Sequence, residues 1–169
     1  MAAGAHNGPM SALDTLDLPT GPVTLHRAAE ADLPELVALL ADDVLGRERE
    51  AEHFAPYARA LDAIDRDPAH LLLAARDGDG HLVATMQLTL LPSLSRGGAT
   101  RLQIEAVRVA GRTRGGGLGT ALMAWALDWG REHGAELAQL TTDRTRPDAH
   151  RFYERLGFTP SHVGFKLAL

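Results

Sequence analysis

The chain has 169 residues, of which 45% are hydrophobic, and this is enough for one domain with a substantial core but not for two. Its 22 acidic and 17 basic side chains give a net charge of -5, which argues against a protein that binds nucleic acid. Because the sequence has no cysteine, disulfides, thiolate metal sites and a covalent acyl-cysteine are excluded.

Residues 1–20 consist mostly of small residues, Gly, Pro and Asp. They lack a basic start followed by a continuous apolar run, so they match neither a secretory signal nor a membrane anchor. We therefore expect a flexible N-terminal tail over residues 1–20, a single domain over residues 21–169, a cytoplasmic location and no association with a membrane.

The first half of the domain is predicted to contain a strand, two helices and a β-hairpin. Asp32, with Glu35 three residues later, indicates a capping box at the start of the first helix. Residues 77–80 have the sequence Asp-Gly-Asp-Gly, which is typical of the turn of a hairpin. By periodicity, the elements are a strand at residues 23–26, helices at 32–44 and 49–64, and hairpin strands at 70–75 and 82–90.

The second half alternates strands with helices after a surface loop at residues 92–99. Leu102 and Ile104 are expected on one face of the next strand, with Gln103 and Glu105 on the other, if no bulge intervenes. The elements are a strand at residues 100–109, a long helix from 118 to about 134, a strand at 137–142, a helix at 148–156, and a final strand at 163–169.

The most informative segment is the junction between the strand at residues 100–109 and the long helix. The first backbone N–H groups of a helix have no partner within it, and the helix dipole favours negative charge there. Glycines let a phosphate approach the backbone, and Arg112 and Arg114 add positive charge. The junction therefore predicts a pyrophosphate-binding loop. Its glycines are Gly115, Gly116, Gly117 and Gly119.

Two common phosphate-binding loops do not fit this segment. A Walker loop would need Lys after its last glycine, whereas Thr120 and Ala121 follow Gly119. A dinucleotide fingerprint that starts at Gly117 would need Gly or Ala where Leu122 stands, and it usually follows the first strand of its unit. A nucleotide-phosphate domain is therefore disfavoured.

Two motifs resemble those of the GNAT acetyltransferases. Residues 114–119 (RGGGLG) are similar to the family's Arg/Gln-x-x-Gly-x-Gly/Ala signature, whose loop binds the pyrophosphate of coenzyme A. Residues 149–158 (AHRFYERLGF) are similar to its A-x-x-F-Y-x-x-x-G-F helix. The order of elements from residue 23 to 169 agrees as well, so the resemblance covers nearly the whole chain except the tail.

The resemblance implies an α/β (α+β) fold with a mixed, mostly antiparallel sheet of six or seven strands, about four flanking helices, and a sheet that is splayed at the cofactor site. It implies transfer of an acetyl group from acetyl-CoA to a primary amine by direct attack on the thioester. The acceptor could be a small molecule, such as a polyamine, aminoglycoside or amino acid, or a peptide or protein amine. A homodimer is left open.

The resemblance also implies the site residues. Glu105 stands where some members have a general base, and Tyr153 matches the general acid. Asp148 stands near where many members have a cofactor-contacting Asn. The expected contacts to acetyl-CoA come from the backbone of Val107, Arg108 and Val109, from Arg112, Arg114, Gly115, Gly116, Gly117, Leu118, Gly119 and Thr120, and from Asp148 and Phe152.

The same residues also allow other interpretations. A non-catalytic acyl-CoA-binding or sensing module would need the loop but neither Glu105 nor Tyr153. Glu105 could be a solvated carboxylate, and Tyr153 could pack in the core. The eight histidines show no metal-binding spacing, so we expect no metal. If the protein is an enzyme, a bulge in residues 105–109 would free a backbone N–H for the developing oxyanion.

Overall fold

The computed structural model describes residues 12–42 and 53–169 of the chain. These residues form six strands and four α-helices, with short 3₁₀ turns between some of them. The elements are β1 (Asp14–Leu18), β2 (Gly21–Arg27), α1 (Leu33–Ala41), α2 (Ala55–Arg66), β3 (His70–Asp77), β4 (Leu82–Leu91), β5 (Thr100–Val109), α3 (Leu118–Glu132), β6 (Ala135–Leu140) and α4 (Pro147–Arg155).

The strands form one sheet in the order β1-β2-β3-β4-β5-β6. Neighbours from β1 to β5 are antiparallel, and β6 is parallel to β5 because α3 connects the two strands as a crossover. The mixed, mostly antiparallel sheet and its helices confirm the predicted fold class. None of the helices in the described ranges is long and apolar enough to cross a bilayer.

The main core lies between α3 and the sheet. Leu122 and Met123 of α3 are fully buried, as are Met86 and Leu88 of β4. Gly130 brings the end of α3 close to the sheet, since a Cβ there would lie only 2.7 Å from Cδ2 of Leu102. A second, smaller cluster contains Leu36 and Leu39 of α1 together with Ala28, Ala74, Leu82 and Ala110.

An ion-pair cluster attaches α1 to the β3–β4 hairpin. Arg76 Nη2 lies 2.5 Å from Asp32 Oδ1, and Arg76 Nη1 lies 2.9 Å from Glu35 Oε1. Asp32 accepts the N–H of Ala29, as a capping carboxylate does, but Glu35 instead accepts the N–H of Leu82 at 3.2 Å. The predicted pairing of Asp32 with Glu35 was therefore wrong, because Arg76 and the hairpin hold the Glu35 carboxylate.

The structure differs from the predicted elements at both ends of the chain. Asp14–Leu18, expected in the flexible tail, form β1 because they pair with the edge of β2. The strand expected at residues 163–169 is absent, since these residues have no ladder partner among the described strands. Residues 43–52, which include parts of both predicted N-terminal helices, lie outside the described ranges.

Candidate active site

The two strands next to the predicted cofactor loop separate partway along their length. β6 pairs with β5 only from Thr100 to Ile104, and the ladder ends where Ile104 faces Leu140. Residues 105–109 therefore have an edge that no strand of the described chain covers. We call this gap the splay. It confirms the splayed sheet that the resemblance implies.

β5 contains a bulge beside the splay. Gln87 of β4 faces Glu105 and Thr85 faces Arg108, so two residues of β5 lie opposite one of β4. Ala106, inside the bulge, has φ of 51°, a left-handed conformation that is uncommon for a residue with a side chain. A bulge leaves backbone groups out of the ladder and redirects the strand. Glu105 directly precedes it and is exposed on the face opposite to buried Ile104.

The glycine loop, residues 114–119, leads from β5 into α3. Gly115 and Gly117 have φ of 85° and 84°, conformations that other residues adopt at a cost. Because the first bond of α3 runs from the N–H of Ala121 to the carbonyl of Gly117, at 3.0 Å, the N–H groups of residues 118–120 have no partner within the helix. The loop thus offers the unpaired donors expected of an anion site.

Two arginines bind the carbonyls at the end of β5. Arg114 Nε donates to the carbonyl of Val109 at 3.2 Å, which holds this side chain beside the glycine loop. Arg108 Nη1 donates to the carbonyl of Val107 at 2.9 Å. Positive charge is therefore concentrated where the splay meets the start of α3.

α4 brings aromatic side chains to the same place. A Cβ on Gly119 would lie 3.5 Å from Cζ of Phe152, so α4 packs against the first turn of α3. The ring centroid of Tyr153 is 5.2 Å from that of Phe152 and 6.0 Å from that of Phe158, both edge-on. Burial raises the pKa of Tyr153, although the charges of Arg146 and Arg108 oppose this shift. Its hydroxyl therefore keeps its proton at neutral pH.

Two side chains that were expected to contact the cofactor bind elsewhere. Arg112 Nη2 donates to the carbonyl of Leu82 at 3.3 Å and lies 3.8 Å from Asp77 Oδ2, so it faces the β3–β4 hairpin. Asp148 is 92% exposed and pairs with Arg151 one turn further along α4. The structure thus gathers Arg114, Phe152 and Tyr153 around the splay, but not the side chains of Arg112 and Asp148.

One group of ligand-type side chains lies away from this site. Ligand atoms of Asp77, Asp79 and His81 lie within 4.8 Å of one another at the hairpin turn. Asp77 Oδ1 accepts the N–H groups of Asp79 and His81, at 3.2 and 2.9 Å. These hydrogen bonds account for the cluster as part of the turn.

A row of polar side chains, which the sequence did not predict, lies on the same face of the sheet as Glu105. In this polar row, Thr89, Gln103 and Gln139 face one another across β4, β5 and β6, and His70 of β3 pairs with Thr89. Gln139 Nε2 donates to Gln103 Oε1 at 2.7 Å, and His70 Nδ1 lies 2.9 Å from Thr89 Oγ1. Alternation in each strand predicts which face such residues occupy, but not that the strands align them.

Arg101 lies at the edge of the polar row. Its Nη1 donates to Gln139 Oε1 at 3.2 Å. Its Nε is buried, and within residues 12–42 and 53–169 it has no hydrogen-bond partner. A buried guanidinium N–H without an acceptor carries an energetic cost.

Comparison with known proteins agrees with this geometry. Residues 33–158 match the acetyltransferase (GNAT) family. The chain is 34% identical to the aminoalkylphosphonate N-acetyltransferase of Salmonella typhimurium over 86% of its own length and 90% of that protein. The chain therefore belongs to the GNAT acetyltransferase family.

Solved structures show the same fold. A protein described as a transcriptional regulator from Bacillus halodurans C-125 superimposes with a TM-score of 0.82 at 44% identity, over 87% of this chain and 99% of that one. A Trypanosoma brucei acetyltransferase gives a TM-score of 0.71 at 26% identity, over 87% of this chain and 99% of that one. These likenesses extend over almost the full length of both solved chains.

Proposed function

We propose that residues 21–169, together with the strand β1, form one acetyltransferase domain that transfers the acetyl group of acetyl-CoA to the primary amine of a small, anionic acceptor. The observation that carries this proposal is the convergence, at the splay, of the glycine loop, the bulge after Glu105 and the hydroxyl-bearing ring of Tyr153. Each provides one requirement of the reaction: an anion-binding loop, a carboxylate and a proton donor.

The residues present fit coenzyme A. The N–H groups of residues 118–120 are without helical partners, and Arg114 adds a cation beside them, which suits a pyrophosphate. Gly117 presents no side chain at the start of α3, and nothing lies within 4 Å of the position its Cβ would take. The edge of residues 107–109, left uncovered by β6, would accept the amide groups of the pantetheine arm.

The chemistry follows from what each side chain can do. Acetyl-CoA supplies a thioester carbonyl as the electrophile. An alkylamine has a pKa of about 10.4 and is mostly protonated at neutral pH, so Glu105 would take its proton before attack, directly or through a water. A backbone N–H freed at the bulge would stabilise the negative charge on the carbonyl oxygen. Tyr153 would then protonate the departing thiolate and regain a proton from the ammonium nitrogen of the tetrahedral intermediate, directly or through a water, so the products are the amide and the thiol.

The polar row supports an acceptor with an anionic group. Arg101 and Glu105 lie on the same face of β5, four residues apart, which places their Cα atoms about 13 Å from each other. A cation and a carboxylate on one face of β5 suit an acceptor with an anion at one end and an amine at the other. The Salmonella relative, named for aminoalkylphosphonates, is an enzyme of this substrate class.

To test the acceptor, the turnover of two amines is compared between wild type and Arg101→Gln. With 2-aminoethylphosphonate, Arg101→Gln should lower kcat/KM by about 10- to 100-fold, since a hydrogen bond to a charged group contributes about 1.5 to 3 kcal/mol. With propylamine, which has no anion, wild type and Arg101→Gln should differ by less than about twofold. Equal losses with both amines would mean that Arg101 supports the sheet and does not bind the acceptor.

The test of the base uses Glu105→Gln. Acetyl-CoA affinity, measured by calorimetry, should stay close to that of wild type, whereas kcat should fall by about 100-fold or more. The deficit should shrink as the pH rises and free amine becomes abundant. If Glu105→Gln has the same kcat as wild type at every pH, Glu105 has no catalytic role.

We do not propose DNA binding, although the Bacillus halodurans structure is described as a transcriptional regulator. The net charge of -5 opposes binding to a phosphate backbone. A non-catalytic acyl-CoA-binding module remains the second candidate. Tight acetyl-CoA binding without acetylation of any amine would favour it over the enzyme.

A further inference from the structure

The turn between β1 and β2 lies against the glycine loop. Pro19 and Thr20 form this two-residue turn, because Leu18 and Gly21 on either side of it are paired in the ladder. A Cβ on Gly116 would lie 3.2 Å from Cγ2 of Thr20 and 3.6 Å from its Oγ1. The N-terminal hairpin and the predicted cofactor loop, which are far apart in sequence, are therefore in contact.

The glycine loop has little other support. Nothing lies within 4 Å of the position that a Cβ would take on Gly115 or Gly117. At Gly116, the other near neighbour is the carbonyl oxygen of Thr113 at 3.5 Å, which belongs to the same connection between β5 and α3. Within residues 12–42 and 53–169, Thr20 is thus the side chain nearest to these three consecutive glycines.

A cavity of about 250 Å³ lies between the loop and the two hairpins. Its lining includes Thr20, Asp79 of the β3–β4 turn, and Thr113 and Leu118 at the two ends of the glycine run. Consecutive glycines lose much conformational entropy when they are ordered, so a loop beside a cavity moves unless a contact holds it. The side chain of Thr20 supplies such a contact, and Pro19 stiffens the turn by fixing its own φ.

We propose that Thr20 is a positioning residue for the cofactor: its methyl group holds the glycine loop in the conformation that binds the pyrophosphate of acetyl-CoA. This inference rests on the proposed function of the loop. A loop that is already held in its bound conformation pays less ordering entropy on binding, which raises affinity. The β1–β2 hairpin, which lies outside the matched family range of residues 33–158, thereby becomes part of the acetyl-CoA site.

Thr20→Ala removes the contact and leaves the turn in place. The affinity for acetyl-CoA, measured by calorimetry, should fall by about 3- to 10-fold with Tm unchanged. With 2-aminoethylphosphonate as acceptor, KM for acetyl-CoA should rise by the same factor and kcat should stay normal, whereas KM for S-acetylpantetheine, which has no pyrophosphate, should not change. Thr15→Ala is the matched control, because Thr15 is exposed on β1 and loses the same atoms.

A second variant tests the contact from the side of the loop. Gly116 does not have a positive φ, so alanine is not strained there, but its methyl would lie 3.2 Å from Thr20 Cγ2, closer than the usual 3.5–4.0 Å between carbon atoms. Gly116→Ala should therefore displace the loop and also lower the affinity for acetyl-CoA. Combining Thr20→Ala with Gly116→Ala moves a methyl group from the turn to the loop, and should return the affinity to within about twofold of wild type.

Wild-type affinity for acetyl-CoA in Thr20→Ala would overturn the inference. So would a double variant whose loss is the product of the two single losses, because the two residues would then act independently. Gly117→Ala, which strains the loop without touching the turn, separates this inference from the proposed function. If Gly117→Ala weakens binding while both Thr20 variants bind normally, only the role of Thr20 is wrong; if none of the variants changes affinity, the pyrophosphate site is wrong as well.

Discussion

Replacing Gly117 by Ala tests whether the glycine loop is a binding loop or only a turn. Gly117 has φ of 84°, where an alanine costs about 1–2 kcal/mol, while nothing lies within 4 Å to clash with its Cβ. Because Gly117 is exposed, we expect the loop of the free protein to relax out of this conformation, whereas binding of a pyrophosphate requires it. The cost should therefore appear as a loss of acetyl-CoA affinity of about 5- to 30-fold, measured by calorimetry.

Gly157→Ala is the matched control, because Gly157 has φ of 89° and equally free space. It lies between α4 and Phe158, which is packed against the core, so the backbone cannot relax. The strain of Gly157→Ala should lower Tm by about 2–8 °C and leave the affinity for acetyl-CoA unchanged. If Gly117→Ala lowers Tm and leaves acetyl-CoA affinity at the wild-type value, the loop is a structural turn and the assignment of the pyrophosphate site is wrong.

Two further predictions concern a tyrosine and a histidine. Tyr153→Phe should lower kcat by about 10- to 100-fold with Tm unchanged. Turnover of Tyr153→Phe within about twofold of wild type would remove the general-acid role. Burial lowers the pKa of His26, outweighing the raising effect of Asp32, so the unfolded chain takes up a proton near pH 6.5 and the folded chain takes it up only at lower pH. Tm should fall as the pH drops from 7.5 to 5.5, and less so in His26→Gln; parallel curves for the two proteins would contradict this.

The sequence predicted the features that depend only on neighbouring residues, such as the conformation of the glycine loop and the alternation of a strand. Glycine permits positive φ, and the first N–H groups of a helix lack a partner within it whatever the rest of the fold does. The structure has positive φ at Gly115 and Gly117, and the N–H groups of residues 118–120 have no partner within α3. Alternation of side chains predicted a strand at residues 100–109, and the structure has the strand β5 there. The roles proposed for Glu105 and Tyr153 stay predictions, because geometry places these residues near the splay but does not measure their chemistry.

The features that the sequence did not predict depend on contacts between distant segments. Arg112 carries charge next to the glycine loop in sequence, yet Asp77 and the Leu82 carbonyl hold it at the hairpin. The polar row exists only because the strand registers align Gln103 with Gln139. In the same way, β1 forms because β2 offers a free edge, which no pattern within residues 1–20 reveals.

The central claim is that this chain transfers an acetyl group from acetyl-CoA to an amine. The most direct measurement incubates the full chain with acetyl-CoA and 2-aminoethylphosphonate, then quantifies the N-acetylated amine by mass spectrometry and the released thiol by its reaction with a chromogenic disulfide. We expect equal amounts of both products from wild type, and about 100-fold less of both from Glu105→Gln over the same time at neutral pH. Thiol release without an acetylated amine, or binding of acetyl-CoA without either product for any amine offered, would contradict it.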